Sequence, residues 1–313
     1  MNLRLVTVLG AVVLIVGAAA GIVWWPPGAG PWGNRLWGER PVGNSSGGDS
    51  SGGDSSGGDS SGGDSPDARA DLADGDLPVP PFPPRIADND QYDKCMTMIA
   101  DDPEGAEAIA TSWQAAGGGD AAIHCQALAA IATGEPEAGA SMLETLAHGG
   151  TVEGLTRAVL LGQAAEARLM ADQAEPALKD ASEALAISPD DPDLLIGRAN
   201  AYDALARPKE EISDLNRALL LDPSRGEALV SRASVWRRMD KVDDAKADIE
   251  KALVLDPEDA EALLERGILR QEVGDLAGAR DDWTHARKVD PNSDAAELAA
   301  QNLTLLDAGP NDK

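Results

Sequence analysis

The chain has 313 residues, 54 of them acidic and 26 basic, so its formal net charge at pH 7 is −28. A negative field of this size argues against binding to nucleic acid or to an anionic lipid surface, and it favours cationic partners. Aromatic residues make up only 3% of the chain, which suits a helical protein packed through alanine and leucine.

The N-terminus is predicted to be a membrane anchor. Residues 5–25 contain no charged side chain, and as a helix they would be roughly 31 Å long, enough to cross the hydrocarbon core of a bilayer. Arg4 precedes this run, so residues 1–4 are expected to stay in the cytoplasm. The sequence therefore favours a single-pass inner-membrane protein with a periplasmic C-terminal domain. A cleaved signal peptide is the alternative, because small residues before Gly21 would suit a cleavage site.

Residues 26–89 have the composition of a disordered linker. Four copies of Ser-Ser-Gly-Gly-Asp occupy residues 45–64, and this composition favours a solvated, flexible coil. Residues 78–84, Pro-Val-Pro-Pro-Phe-Pro-Pro, favour a polyproline II segment about 20 Å long. Such a segment is either a stiff spacer or a docking motif for a domain that recognises proline, and the sequence leaves both possibilities open.

Residues 90–157 are predicted to be helical. They are interrupted by Asp102-Pro103, by three glycines at 117–119 and by Gly134-Glu135-Pro136. We interpret the resulting helices as two degenerate pairs that continue the regular repeat found further along the chain. The predicted helices lie near 92–101, 104–116, 121–132 and 136–147.

The two cysteines of the chain, Cys95 and Cys125, fall on the first helices of these two degenerate pairs. First helices are neighbours in a helical stack, and export would bring both thiols into an oxidising compartment, so a disulfide is the favoured interpretation. It would contribute roughly 3–4 kcal/mol by constraining the unfolded chain. Free buried thiols are a second possibility. A metal site that adds His124 is a third, but it lacks a fourth ligand.

A period of 34 residues governs the segment 158–293. It divides into four blocks that begin at residues 158, 192, 226 and 260, and positions within each block are numbered here as places 1 to 34. A fixed period of this length indicates a solenoid of helix pairs, and small residues are needed where two helices cross closely. The recurring residues are proline at place 32 (Pro189, Pro223, Pro257, Pro291), a small residue at place 8 (Ala165, Ala199, Ala233, Gly267) and alanine at place 27 (Ala184, Ala218, Ala252, Ala286).

The helix boundaries follow from the same period. The first helices of the last three blocks are predicted at 192–205, 226–239 and 260–273, and the second helices at 208–221, 242–255 and 276–289. Residues 294–313 are predicted to form a capping helix, over 294–306, and a tail.

This pattern resembles the tetratricopeptide repeat family. Further residues that carry the resemblance are aromatic at place 11 (Tyr202, Trp236), glycine at place 15 (Gly274) and alanine at place 20 (Ala177, Ala245, Ala279). The resemblance implies an all-α, right-handed α-solenoid, here of a membrane-anchored bacterial type. Glu211 occupies place 20 of the second block, where a small residue is usual, so that helix pair is expected to pack less closely.

Two sets of charged residues keep the same 34-residue step. They are arginines at place 7 (Arg198, Arg232, Arg266) and aspartates at place 23 (Asp180, Asp214, Asp248, Asp282). Partly buried arginine is rarely left without a carboxylate, so we interpret them as structural ion pairs; a basic strip for a ligand is the alternative. Each arginine could meet the aspartate of its own block or that of the helix before it. We favour the second arrangement, which leaves Asp282 unpaired.

The resemblance also implies a peptide groove lined by places 5 and 9 of the first helices. Its predicted lining is Ile196, Val230 and Leu264 as apolar anchors at place 5, with Asn200, Ser234 and Ile268 at place 9. This lining would suit an extended or helical peptide with hydrophobic side chains. The partner could instead bind elsewhere on the solenoid.

The sequence contains no motif of a hydrolase, metalloprotease or phosphate-binding loop, so we expect neither an enzyme nor a bound cofactor or metal. The favoured function is a membrane-tethered adaptor, or a chaperone-like holder of unfolded polypeptide, in the cell envelope. By analogy of fold and topology, the holder could resemble the apoprotein holders of cytochrome c maturation. The rival is a structural scaffold or spacer that has no peptide groove.

Overall fold

A computed structural model describes residues 86–308, and in that range the protein consists of α-helices joined by short turns. The helices form six consecutive pairs and a final single helix, which confirms the predicted helical repeat array. The observed bounds of α7 to α12 differ from the predicted ones by at most one residue. The thirteen helices of this range are α1 (Asp90–Asp101), α2 (Pro103–Ala115), α3 (Gly119–Ala132), α4 (Pro136–His148), α5 (Gly154–Met170), α6 (Ala174–Ile187), α7 (Pro192–Ala204), α8 (Pro208–Leu221), α9 (Gly226–Arg238), α10 (Val242–Leu255), α11 (Ala260–Glu272), α12 (Leu276–Val289) and α13 (Asp294–Ala308).

Each helix packs against its neighbours in the chain, and one hydrophobic core runs from α1 to α13. Several first helices also contact the first helix of the next pair: α1 with α3, α5 with α7, and α9 with α11. The degenerate pairs α1–α4 share this core with the regular repeats. An isolated helix pair could not bury its apolar face, so the continuity of the stack is what stabilises each member.

The anchor predicted for residues 5–25 and most of the linker predicted for 26–89 lie outside the described residues. Between residues 86 and 308, no helix is both long and apolar enough to cross a membrane. Ile86 packs against the core, and the Asn89 side chain accepts a hydrogen bond from the Tyr92 N–H. The packing against the core therefore includes residues that precede α1.

The turn inside each regular pair needs one residue in the left-handed backbone region. Place 15 supplies it every time, with φ of +57° at Asp172, +54° at Ala206, +60° at Asp240 and +86° at Gly274. Glycine adopts this conformation without strain, whereas alanine pays roughly 1–2 kcal/mol because its Cβ approaches the following carbonyl oxygen. Glycine at place 15 therefore has a backbone cause, and Ala206 holds the same turn at a cost.

The helix crossing in the last regular pair is filled by a tryptophan. Trp283 is fully buried, and its indole N–H donates a hydrogen bond to the Leu264 carbonyl oxygen at 3.2 Å. A Cβ atom on Gly267 would lie 2.4 Å from Trp283 Nε1, so place 8 of this pair must be glycine. Gly197 on α7 is the opposite case, because a Cβ atom there would meet no atom within 4 Å.

Replacing Gly267 by alanine should lower the free energy of unfolding by about 1–3 kcal/mol, because the new methyl group collides with a buried indole. Gly197→Ala is the matched control, and it should raise stability by about 0.5–1 kcal/mol, since alanine is the better helix former. Urea unfolding followed by circular dichroism measures both variants. Equal effects of the two substitutions would contradict the packing assigned to Trp283.

Candidate functional site

Each arginine of place 7 is paired with an aspartate side chain. Each forms two hydrogen bonds, through Nε and Nη2, to an aspartate of place 23, and the Nε–Oδ2 distances are 2.7, 2.7 and 3.0 Å. The aspartates are buried and the arginines partly buried. Such two-pronged bonds are the strong form of the arginine–carboxylate interaction. The pairs are Arg198 with Asp214, Arg232 with Asp248 and Arg266 with Asp282.

The pairing that the sequence favoured, with the aspartate of the preceding helix, is therefore wrong. Places 7 and 23 face each other across the two helices of one pair. Asp282, which was expected to lack a partner, binds Arg266 and also Arg270, whose Nη1 lies 2.8 Å from its Oδ2.

Asp180 is the aspartate that has no place-7 arginine, because Ala164 occupies that place in its pair. The nearest cationic groups are Lys179 Nζ at 3.6 Å and Arg168 Nε at 3.7 Å. Burial, followed by repulsion from Glu144, raises the pKa of the Asp180 carboxyl above its usual range. This end of the ladder is thus weaker than the three complete pairs.

Replacing Arg232 by alanine should lower the free energy of unfolding by about 1–3 kcal/mol, because Asp248 would be left buried without its counter-ion. The control is Arg217→Ala. Arg217 pairs with Asp190 at the surface, both side chains being more than half exposed, so its loss should change stability by less than about 0.5 kcal/mol. Thermal unfolding distinguishes them. A neutral effect of Arg232→Ala would return the arginines to consideration as a ligand strip.

Glu211 was expected to loosen its helix pair, and the structure shows in addition that its carboxylate binds an arginine of the next pair. Its side chain is buried, and both carboxylate oxygens accept hydrogen bonds from Arg238 Nη2, at 3.1 and 3.2 Å. Arg238 belongs to the next pair, and its Nη1 also binds Asp203 on α7. Burial raises the pKa of the Glu211 carboxyl to about 7; repulsion from Asp203 acts in the same direction and Arg238 opposes it. Through Arg238, Glu211 is therefore part of a network that links α7, α8 and α9.

At the N-terminal end, Cys95 on α1 and Cys125 on α3 are joined as a disulfide, with their Cα atoms 6.3 Å apart. This separation is within the normal range for a disulfide, and both residues are fully buried. The bond ties the first helix of the first pair to the first helix of the second. A reductant would reach these sulfur atoms only after the helices separate.

His124, the third candidate metal ligand, is instead part of a buried hydrogen-bond chain. Its Nδ1 lies 2.8 Å from the Tyr92 hydroxyl, and its Nε2 lies 2.9 Å from Gln163 Oε1. The glutamine oxygen only accepts, so Nε2 donates to it and Nδ1 accepts from Tyr92. Burial lowers the pKa of His124 to about 4, so the ring is neutral near pH 7. The chain links α1, α3 and α5.

The predicted apolar anchors do not line an open groove. Ile196, Val230 and Leu264 are only 2%, 7% and 9% exposed, so none can receive a side chain of a partner. A Cβ atom on Gly162, also at place 5, would lie 2.7 Å from Leu194 Cδ2 on the next first helix. Place 5 therefore faces the neighbouring helix. This burial corrects the predicted hydrophobic groove.

The half-buried residues of places 6 and 9 have a different character. On α7 they are Gly197 and Asn200, and on α9 they are Ser231 and Ser234. We call these four residues the small polar patch. None of its three polar side chains forms a hydrogen bond with the described part of the chain, and the space above Gly197 is open. Ile268, the third predicted residue of place 9, packs against the core instead.

The patch therefore offers hydrogen-bonding groups that the described part of the chain does not use. Asn200 provides two donors and an acceptor, and each serine hydroxyl provides one donor. Sequence reasoning identified Asn200 and Ser234 but missed Gly197 and Ser231, because a small or missing side chain produces no recognisable sequence motif. Within residues 86–308, no group of three or more His, Cys, Asp or Glu side chains is arranged to hold a metal ion.

No protein-family model matches the chain, and no curated protein sequence does. Solved structures do match it. A thermophilic TPR protein of Thermus thermophilus aligns with a TM-score of 0.51 and 19% identity, over 60% of this chain and 98% of that one. The APC/C hetero-tetramer Cut9–Hcn1 aligns with a TM-score of 0.56 and 15% identity, over 68% of this chain and 42% of that one. At such identities the likeness establishes the fold alone: residues 86–308 form an all-α helical repeat array of the TPR kind.

Proposed function

We propose that the protein is a non-enzymatic interaction adaptor that binds an extended peptide segment of its partner at the small polar patch. The observations that carry the proposal are that Asn200, Ser231 and Ser234 are half-buried without a hydrogen-bond partner among the described residues, and that a Cβ atom on Gly197 would meet no atom within 4 Å. An amide and two hydroxyls can both donate and accept, as the N–H and C=O groups of a peptide backbone require. Main-chain recognition of this kind suits an extended segment.

Charge narrows the chemistry of the partner. The arginines of place 7 are bound to aspartates, so they do not provide a site for an acidic peptide or a C-terminal carboxylate. The net charge of −28 favours a cationic partner. Because place 5 is buried, this place does not present the exposed row of apolar anchors that a holder of unfolded polypeptide would use. These observations favour the adaptor over the chaperone-like holder.

The proposal puts the helical array in the periplasm of a Gram-negative-type cell envelope, tethered to the inner membrane by residues 5–25. The apolar character of that segment supports the tether. The geometry of Cys95 and Cys125 supports an oxidising compartment, since a buried disulfide between first helices would stabilise the array only after export.

Peptide binding should be lost when the small polar patch is altered. A displayed library of random peptides would be selected on the full chain, and the affinity of enriched peptides measured. The Asn200→Ala, Ser234→Ala double variant should bind them about tenfold more weakly, since it loses two hydrogen bonds. Gly197→Leu should block them by filling the open space.

The matched control is Ser213→Ala with Thr284→Ala, which removes two exposed polar groups from second helices and should leave binding unchanged. Equal binding by the patch variants and the control would exclude the patch as the site. Failure of the wild-type chain to enrich any peptide would favour the scaffold function.

A reporter that is active only in the periplasm, fused after Lys313, should be active. The same fusion lacking residues 5–25 should be inactive, because the tether and its export signal are gone. In the intact protein, thiol alkylation without reductant should leave Cys95 and Cys125 unlabelled. Activity of a cytoplasmic reporter at the same position, with both thiols labelled, would overturn the location and the disulfide together.

A further inference from the structure

An open cleft lies at the N-terminal end of the array, away from the small polar patch. It is a shallow depression with a volume of about 610 Å³. One wall is the start of α1, and the other is the end of α2 with the glycine turn that follows it. The lining residues are Asn89, Asp90, Gln91, Trp113, Gly117 and Gly118.

Trp113 is the chemically distinctive residue of this cleft. Its ring is half-buried, and its indole N–H has no hydrogen-bond acceptor among the described residues. Trp283, in contrast, donates to Leu264, and the Trp236 ring is covered by Lys241 Nζ at 4.3 Å from its centroid. Buried tryptophan normally finds an acceptor for this N–H, so the half-buried Trp113 has a donor that the described part of the chain does not use.

The glycine turn fixes the position of that ring. A Cβ atom on Gly118 would lie 2.6 Å from Trp113 Cδ1, so only glycine lets the indole rest against this backbone. Gly117 has a φ of +93°, and the Gly118 N–H donates to the Trp113 carbonyl oxygen at 2.9 Å. The ring is thus held in place before any ligand arrives, which lowers the entropy cost of binding.

A suitable ligand lies immediately upstream in the same chain. Residues 78–84 contain five prolines and a phenylalanine, and a polyproline II segment has no internal hydrogen bonds, so its carbonyl oxygens are free to accept. Aromatic rings that present a donor are the usual receptors for such segments. Pro84 precedes Asn89, which lines the cleft, by five residues. A tether this short gives an effective concentration on the order of millimolar.

We propose that residues 78–84 dock in this cleft, with a proline ring against Trp113 and a main-chain carbonyl oxygen accepting from its indole N–H. The docked segment would extend the folded body past Ile86, which already packs against the core. It would also fix the direction in which the linker leaves the array. A proline-rich segment of another protein is the alternative occupant, and the experiment separates the two.

The full chain would be labelled with 5-fluorotryptophan, and the Trp113 signal among the seven tryptophans identified by Trp113→Phe. Replacing Pro80, Pro81, Pro83 and Pro84 by serine should shift this ¹⁹F signal. Its broadening by a soluble gadolinium chelate should increase about two-fold or more, because the ring regains solvent contact. Replacing Pro26, Pro27, Pro31 and Pro41 by serine is the matched control and should change neither quantity. Circular dichroism checks that all variants keep their helices.

A synthetic peptide Pro-Val-Pro-Pro-Phe-Pro-Pro provides the second measurement. It should shift the Trp113 signal of the serine variant in a saturable manner and leave the wild-type signal unchanged, because the wild-type cleft is occupied. Identical Trp113 signals in the wild type and the serine variant would overturn the proposal. Equal binding of the peptide to both proteins would also overturn it, and would assign the cleft to a proline-rich partner.

Discussion

The close crossing of two helices within each pair is the constraint on which the rest of the array depends. Places 8, 20 and 27 lie at these crossings and carry alanine or glycine in every regular pair, with Glu211 as the one exception. These residues have almost no exposed surface. With so little bulk between the axes, an arginine at place 7 reaches the aspartate at place 23 through two short hydrogen bonds. The polar ladder is therefore a consequence of the close apolar packing beside it.

The ion pairs that arginines form inside the array also explain why its surface is negatively charged. Arg198, Arg232 and Arg266 use their guanidinium groups inside helix pairs, and Arg237 binds Glu265 and Glu272 across pairs. Acidic side chains outnumber these basic partners. The remaining carboxylates lie at the surface, where their charge favours the solubility of a protein rich in alanine. The same excess sets the sign of the partners that the surface attracts, whereas the small polar patch carries no charge of its own.

The sequence predicted the helices well and their contacts less well, for a physical reason. Helix bounds depend on local features that recur every 34 residues, such as proline after a helix and a left-handed residue at place 15. The partner of Arg232 does not, because Asp248 and Asp214 both satisfy the same period, and only the crossing geometry selects Asp248. The period also identified place 5 as an apolar position in the last three blocks, but it did not show which neighbouring helix this position faces.

Other features have no repeated signal at all. His124 bonds to Tyr92 and Gln163, which lie 32 and 39 residues away, in a region where the repeat is degenerate. The disulfide could be suggested only because the chain has two cysteines. One available signal was overlooked: Gly267 stands where the other pairs have alanine, and the same pair carries the large Trp283 on its second helix. A contact between a small and a large residue can be predicted from the sequence when both differ from the residues at the same places in the other pairs.

Glu211 shows how the array accommodates such a departure. Alanine occupies place 20 in the other regular pairs. If the residues around Glu211 were those of the other pairs, its carboxylate would be buried without a partner. Place 13 carries a different residue in each block, and in the third block it is Arg238, whose guanidinium binds Glu211 and Asp203 together. Glu211 and Arg238 thus form one link between consecutive pairs. In a stack where each pair contacts only its neighbours, this link fixes how the two pairs sit at their interface, where an alanine would contribute contact area alone.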